Sequence, residues 1–119
     1  MTYVDGFVLP VPKKEIEPYL KMARMAAKIF REHGALQHVE CVADDVKVGK
    51  YTSFPQSVKL KPDETVIFSW ILFKSRAHRD KVNAKVMKDP RIEKMMKGKK
   101  MPFDGKRMIT GGFKTKIDL

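Results

Sequence analysis

A nine-residue run, TVIFSWILF at residues 65–73, constrains this chain more than any other feature. Its β-branched and aromatic residues are typical of a strand. Because side chains alternate along a strand, one face carries Val66, Phe68, Trp70 and Leu72, and the other carries Ile67, Ser69, Ile71 and Phe73. Both faces are mostly apolar, so both should be buried. One layer of helices can bury only one face of this strand, so the other face must be buried by something else.

The first half of the chain predicts a strand, a long helix and a second strand. Residues 2–11 have strand composition, and Pro10 and Pro12 should end that strand. Apolar residues then recur at helical spacing from residue 13 to residue 33, with Pro18 in the first turn and Gly34 just past the end. Residues 35–44 alternate again, with His38 and Glu40 on one face and Cys41 on the other.

The second half predicts helices around the two-faced strand and a last strand at the end. A short helical turn is expected within residues 53–60. Ser75 should cap a helix over residues 76–88 that turns Val82, Val86 and Met87 inward. Asp89 and Pro90 should open a short helix that runs to about residue 97 and stops at Gly98. Residues 106–113 form the last predicted strand.

The resulting order, β-α-β-β-α-(α)-β, is the ferredoxin-like pattern, an α+β fold with a four-stranded antiparallel sheet and helices on one face. The length of 119 residues fits a single domain over residues 1–119. A homodimer with its sheets face to face would cover the second apolar face of the central strand. The predicted assembly is therefore a dimeric α+β barrel.

Composition narrows the compartment and the class of protein. The longest near-apolar run has eight residues, whereas a membrane-spanning helix needs about 20. The N-terminus carries Asp5 and Gly6 and lacks the pattern of a secretory signal, so we expect a cytoplasmic protein. The only cysteine, Cys41, excludes a disulfide framework and a cysteine-based zinc site, and we expect it to be a small buried hydrophobic residue.

Positive charge is concentrated in the second half of the chain. The 25 Lys and Arg residues oppose 14 Asp and Glu residues, which gives a formal net charge of +11. The densest group consists of Lys94, Lys97, Lys99, Lys100, Lys106 and Arg107. Such a patch can attract nucleic acid, an acidic membrane or an anionic ligand, but a solvated lysine-rich face has the same composition. Lysine is also weaker evidence than arginine for recognition of phosphates or bases.

Several motifs together resemble a bacterial family of small YbaA-like proteins of unassigned function: YVDGF near the start, EHGAL followed by VECVADDV, VIFSWI, DPR, and MPFDGKRMITGGF near the end. The resemblance covers residues 3–113, and its most specific stretch is residues 101–108 with 111–113. It implies membership of the dimeric α+β barrel group, which includes cofactor-independent monooxygenases, haem-binding proteins, small isomerases and ligand-sensing domains. It implies no catalytic residues.

His38 and Glu40 are the candidate catalytic residues. They lie two apart on one face of a predicted strand, where a carboxylate could orient an imidazole for acid–base work. The alternative is an ordinary polar pair on a sheet or at a dimer interface. We expect no metal site. His38 and Glu40 could supply two ligands, but a metal site needs at least a third, and no other candidate ligand lies at a spacing typical of a metal site.

A second group of candidates could bind a ligand. Asp5 interrupts an apolar strand, so it needs a partner, and Arg107 in the predicted last strand is the obvious one. Asp104 and Gly105 signal a turn that leads into Lys106 and Arg107, which could hold a carboxylate or phosphate at a cavity mouth. Each of these features also has a purely structural explanation, as an ion pair or a turn.

Three further residues complete the candidate binding set. Trp70 could stack on a flat ligand, although a tryptophan in a central strand is more often part of the core. Arg79 and Asn83, four apart on the second long helix, could face solvent or the same pocket. Met95, Met96 and Met101 could form adaptable packing or a cover over that pocket.

The leading hypothesis is a homodimeric α+β barrel that binds a small organic molecule. Motifs for nucleotides, classical hydrolases, zinc proteases and haem attachment are absent from the sequence, and we expect no bound cofactor. By analogy of fold, any reaction would be oxygenation or isomerisation with His38 as proton acceptor. The alternatives are a nucleic-acid-binding protein that uses the basic second half, or a structural interaction module.

Overall fold

Four antiparallel strands form one sheet in the order β2-β3-β1-β4. The computed structural model describes residues 1–97 and 100–119. The strands are β1 (Tyr3–Pro12), β2 (Gln37–Val42), β3 (Glu64–Phe73) and β4 (Ile109–Lys114). Strand β3, the two-faced run, pairs with β2 on one side and β1 on the other, as expected for the most apolar strand.

The helices begin and end where the sequence signals stand. They are α1 (Ile16–Glu32), α2 (Phe54–Ser57), α3 (Arg76–Met87) and α4 (Pro90–Met96), with short 3₁₀ turns at Lys13–Glu15 and Gly105–Arg107. The Ser75 side chain accepts a hydrogen bond from the backbone N–H of His78 and caps α3. Gly34 follows α1 with a φ of +116°, a conformation that favours glycine and ends the helix.

The core lies between the sheet and helices α1, α3 and α4. The inward face of the sheet carries Ile67, Ile71 and Phe73, which pack against the helices in two adjoining apolar clusters. The alternation predicted for β2 and β3 is confirmed by the strand register, which sets His38 opposite Ile71 and Glu40 opposite Ser69. His38 and Glu40 therefore face the helices.

Three details of the predicted elements need correction. Strand β1 ends at Pro12, as expected, but Pro10 lies inside the strand, because β4 pairs with β1 only as far as Val8 and a proline is tolerated where one side of a strand has no partner. Arg107 lies in a 3₁₀ turn before β4. Met87 was expected to point inward, yet 60% of its surface is exposed, because it is the last residue of α3. The predicted stop at Gly98 lies outside the described residues.

Helix α4 is fastened to the end of α1 by charged groups. Asp89 Oδ2 lies 2.8 Å from His33 Nε2 and 2.8 Å from Arg91 Nη2, and Arg91 also contacts Glu32. Hydrogen bonds from Arg91, and then from His33, hold the pKa of Asp89 well below its usual range. These contacts position α4 over one side of the core.

Candidate functional site

A cavity of about 290 Å³ lies between the inward face of the sheet and helices α1 and α4. Its volume is at the small end of the range for ligand pockets, roughly 300–1,000 Å³. Six methionines contribute to its lining, namely Met22, Met87, Met95, Met96, Met101 and Met108. Their flexible, polarisable side chains let a wall adapt to the shape of a bound molecule. The cavity is therefore suited to an apolar guest of modest size.

A chain of hydrogen bonds forms the polar part of the cavity lining. The Tyr19 hydroxyl, on α1, lies 2.6 Å from Glu40 Oε1 on β2. The second carboxylate oxygen, Oε2, lies 2.7 Å from His38 Nε2. Burial, and then the hydrogen bond to Glu40, raises the pKa of Tyr19 far above its usual value, so Tyr19 keeps its proton and donates.

This chain leaves one nitrogen of His38 without a partner. The carboxylate oxygens of Glu40 accept from both neighbours, so we assign the hydrogen of the His38 ring to Nε2, which leaves a lone pair on Nδ1. Nδ1 is buried and has no hydrogen-bond partner among the described residues. Phe30 packs edge-on against the ring, 5.7 Å between centroids. A buried polar atom without a partner is unusual in proteins and calls for an explanation.

Asp5 pairs with a residue other than the one expected from the sequence. Its Oδ1 accepts a 2.6 Å hydrogen bond from Arg79 Nη1 on α3, instead of from Arg107. The expected pairing assumed that Arg107 stood in the last strand beside β1, whereas β4 begins two residues later. Asp5 and Arg79 lie outside the set of residues that line the cavity, as does the half-buried Asn83.

Arg107 has its own carboxylate partners at another corner of the molecule. Its Nη1 and Nη2 donate to the two oxygens of Glu64 at 2.8 and 2.7 Å, and its Nε donates to Asp104 at 2.9 Å. These bonds hold the pKa of Glu64 and of Asp104 below their ordinary values. Lys106 is exposed, and its backbone N–H donates to Asp104. Arg107 thus joins the 3₁₀ turn to the start of β3.

Trp70 lies on the opposite face of the sheet from His38 and Glu40. This face carries Val4, Gly6, Val8, Phe68, Trp70, Ile109, Gly111 and Phe113, which line a shallow, open depression, and we call it the open sheet face. Phe68 and Phe113 are 43% and 64% exposed, so a large part of each residue remains accessible to solvent. Cys41, expected to be buried, lies on the same side opposite Phe68 and is half-buried.

The structure thus brings together only part of the predicted site. His38 and Glu40 share one cavity with Met95, Met96 and Met101, while the other candidates lie elsewhere. Tyr19 was missed as a functional residue, because its place in the helical stripe marked it only as core. A hydroxyl at an apolar helical position was the available signal, since a buried tyrosine usually needs a hydrogen-bond partner.

From the basic second half, Lys100, Asp104 and Arg107 line a second, polar cavity of about 700 Å³ together with Lys14 and Lys61, and three carboxylates, Glu15, Asp63 and Glu64, share that lining. Lys94, Lys97, Lys100 and Lys106 are exposed, and Lys99 lies outside the described residues. Within the described part, no group of three or more His, Cys, Asp or Glu side chains could hold a metal ion. No helix described here is long and apolar enough to cross a membrane.

A family model described as "Protein of unknown function (DUF1428)" matches residues 2–105. The chain belongs to the DUF1428 family. The resemblance to YbaA-like proteins is confirmed by a relative named "Uncharacterized protein YbaA" from Escherichia coli strain K12, which is 52% identical over 118 residues and covers 99% of both chains. A protein of the same name from Shigella flexneri matches equally well. The function of the family and of these relatives is thus unassigned.

Two solved structures share the fold of this DUF1428 chain at low sequence identity. An uncharacterized NIPSNAP domain protein from Burkholderia xenovorans aligns with a TM-score of 0.61, 10% identity, and coverage of 96% of this chain and 94% of that one. A dimeric ferredoxin-like protein from an uncultured marine organism aligns over both full chains with a TM-score of 0.55 and 12% identity. The predicted ferredoxin-like α+β fold is confirmed.

Proposed function

We propose that this protein is a cytoplasmic homodimer whose subunits, each a single domain, bind a small organic molecule in the methionine-lined cavity. The observation that carries the proposal is the environment of His38. Its ring lines an otherwise apolar cavity, Nε2 is fixed by Glu40, and Nδ1 lacks a partner. Because Nδ1 is shielded from solvent, contact between a ligand and Nδ1 requires the lining, which is rich in flexible methionines, to move aside.

The geometry supports proton transfer by His38. A ligand proton moves to the Nδ1 lone pair, and the electron pair of the broken bond stays on the ligand. The imidazolium that forms is stabilised by the carboxylate of Glu40, 2.7 Å from Nε2. Tyr19 holds Glu40 in place and acts as a positioning residue. Such a pair is suited to weakly acidic O–H, N–H or C–H groups.

Two outcomes of such a proton transfer fit the fold group. Return of the proton to a different ligand atom completes an isomerisation and consumes nothing else. Oxygenation additionally requires dioxygen, which takes up electrons from the deprotonated ligand. Both need only the acid–base pair of the protein, and the fold analogy alone favours them over other reactions.

The open sheet face supports the homodimer. A contiguous apolar face with exposed phenylalanines is a protein-interaction surface by default, and a second copy of the same face is complementary to it. The dimeric ferredoxin-like neighbour has a similar fold. Two subunits packed this way would bury the second face of β3 and leave both His38 cavities accessible from the helix side.

A second candidate function is favoured by the same face. Phe68, Trp70 and Phe113 expose aromatic rings on one sheet, and such rings can stack on the bases of single-stranded RNA. From the sequence, both faces of β3 were expected to be buried, so this arrangement of exposed rings was not predicted. Against this function, the described residues that line the depression include no Lys or Arg to contact phosphates.

The experiment that tests ligand binding is a titration followed by the methyl signals of labelled methionines. The chain has eight methionines, six of which line the cavity, while Met1 and Met25 lie outside it and serve as internal controls. We expect a bound small apolar molecule to shift the six cavity signals and leave the two controls unchanged. Uniform shifts, or none across a panel of aromatic and aliphatic compounds, would contradict a ligand cavity.

A native mass spectrum tests the assembly and the second candidate together. A mass of twice 13.7 kDa is expected, with a discrete remainder if a ligand co-purifies. A monomer with adducts spaced by nucleotide masses would instead support RNA binding, and binding that weakens steeply with salt would confirm it.

A further inference from the structure

We infer, on the basis of the proposed function, that the methionine-lined cavity selects uncharged ligands that carry a hydrogen-bond donor, and that it rejects carboxylates and phosphates. The inference is based on which polar residues line the cavity. Tyr19, His38, Glu40 and Ser69 are its polar members, and no Lys or Arg is among the described residues that line it. The set offers an acceptor and a negative charge, but no cation.

Two of these groups, Tyr19 and Glu40, already form hydrogen bonds within the protein. The Tyr19 hydroxyl donates to Glu40, and both oxygens of Glu40 accept from within the protein. What remains toward a ligand is the lone pair at Nδ1 of His38 and the hydroxyl of Ser69. Because a hydroxyl both donates and accepts, Ser69 imposes no preference. Of these groups, His38 is the one with a buried nitrogen that has no partner among the described residues, and its lone pair favours a donor.

An anion meets two unfavourable conditions in this cavity. It loses its hydration among apolar side chains with no cation to compensate for that loss, and it approaches the carboxylate of Glu40. Arg79 and Arg107, the two arginines that the sequence suggested as ligand-binding residues, do not line the cavity. They donate hydrogen bonds to Asp5 and Glu64 instead. Among the described residues that line the cavity, none supplies a cation to neutralise a buried anionic ligand.

Three naphthalene probes of matched shape test the selectivity at pH 7: 2-naphthol, an uncharged donor; 2-methoxynaphthalene, which only accepts; and 2-naphthoate, an anion. Dissociation constants come from the methionine titration. We expect 2-naphthol to bind about threefold to tenfold more tightly than 2-methoxynaphthalene, the value of one hydrogen bond. We expect 2-naphthoate to bind more weakly than either, by about tenfold or more.

Two variants assign the selectivity to His38. His38→Phe keeps a flat ring and removes the lone pair, so the preference for 2-naphthol should fall to about onefold. Glu40→Gln provides a second measurement if that variant does not fold. In this variant, the side-chain amide oxygen would accept a hydrogen bond from Tyr19, and the amide nitrogen would donate one to Nε2 of His38. The hydrogen of the His38 ring would then move to Nδ1. The preference should then reverse in favour of 2-methoxynaphthalene.

The outcomes separate this inference from the proposed function. Equal binding of 2-naphthoate and 2-naphthol, or an unchanged preference in both variants, overturns the selectivity while shifts of the cavity methionines still support the site. If no probe moves those signals, the cavity itself is not a binding site, and the proposed function and the inference fail together.

Discussion

The carboxylate of Asp5, in the middle of strand β1, accepts a 2.6 Å hydrogen bond from Nη1 of Arg79 on helix α3. The same guanidinium lies over the Tyr3 ring, 5.0 Å from its centroid, and donates through Nε to Asp80. The hydrogen bond to Asp80, and the negative charge of Asp5, raise the pKa of Arg79 above its ordinary value. This contact ties α3 to the centre of the sheet.

Asp5→Asn should lower the free energy of unfolding by about 1–3 kcal/mol, because it removes the negative charge from a hydrogen-bonded ion pair that is largely shielded from water. Urea denaturation measures the change. The matched control is Asp80→Asn, whose side chain is exposed and whose loss should cost less than about 1 kcal/mol. Equal effects of the two substitutions would show that burial of the Asp5 pair adds nothing.

Tyr19→Phe should destabilise the protein and change its response to alkaline pH. The folded protein raises the pKa of Tyr19, so its contribution is present below the ordinary tyrosine value near 10 and is lost as pH rises above it. Wild type should therefore lose stability relative to Tyr19→Phe above about pH 10, measured by urea denaturation across pH 8–11. Tyr51→Phe, at an exposed tyrosine, is the control and should follow wild type.

Glu64→Gln should flatten the acid side of the stability profile. Arg107 lowers the pKa of Glu64, so the stabilisation is present above the ordinary glutamate pKa, about 4.3, and is lost as pH falls through the lowered value. Unfolding free energies between pH 2 and 6 should fall less steeply in the variant. Glu17→Gln, at an exposed glutamate, should leave the slope as in wild type, and a matching slope in both variants would refute the assignment.

Gly112→Ala should destabilise the protein by roughly 1–3 kcal/mol, whereas Gly111→Ala should change stability by less than about 1 kcal/mol. A Cβ at Gly112 would collide with the ring of Tyr3, which is buried and cannot move aside freely. A Cβ at Gly111 meets only Phe113, at an ordinary distance of 3.7 Å. Thermal unfolding of the two variants side by side makes the comparison, and the reverse ranking would contradict the placement of Tyr3.

Phe113→Glu should convert the proposed dimer to a monomer, because it places a charge in the middle of an apolar interface. Native mass spectrometry reads the assembly. Met25→Glu, at an exposed methionine on α1, is the control and should remain dimeric. If Phe113→Glu stays dimeric, the subunits associate through another surface.

Periodicity in the sequence was sufficient for the elements and their faces. Alternation along β2 and β3 separated His38 from Cys41 and Ile71 from Trp70, and the caps at Ser75 and Asp89 fixed where α3 and α4 begin. These are local signals that depend on a few neighbouring residues. They predicted the topology because the ferredoxin-like order leaves few ways to pair four strands.

Contacts between elements that are distant along the chain were harder to predict from the sequence. Tyr19 meets Glu40 only because α1 crosses β2, and Asp5 meets Arg79 across 74 positions of chain. On charge alone, any of several basic residues could have been the ion-pair partner of Asp5. Arg107 is excluded by the register, which sets Gly112 opposite Asp5, and periodicity does not resolve the register between distant strands.

Strand β3 serves two surfaces with strictly alternate residues, since Ile71 borders the cavity with His38 while Trp70 faces the open sheet side. Under the proposed function, substitutions at Phe68 and Trp70 should alter association, and those at Ser69 and Ile71 should alter ligand preference, each with little effect on the other. The two properties are thus free to diversify separately among descendants of one gene. Insertion or deletion of a single residue in β3 would exchange both faces at once, so change in this strand should proceed by substitution and not by change of length.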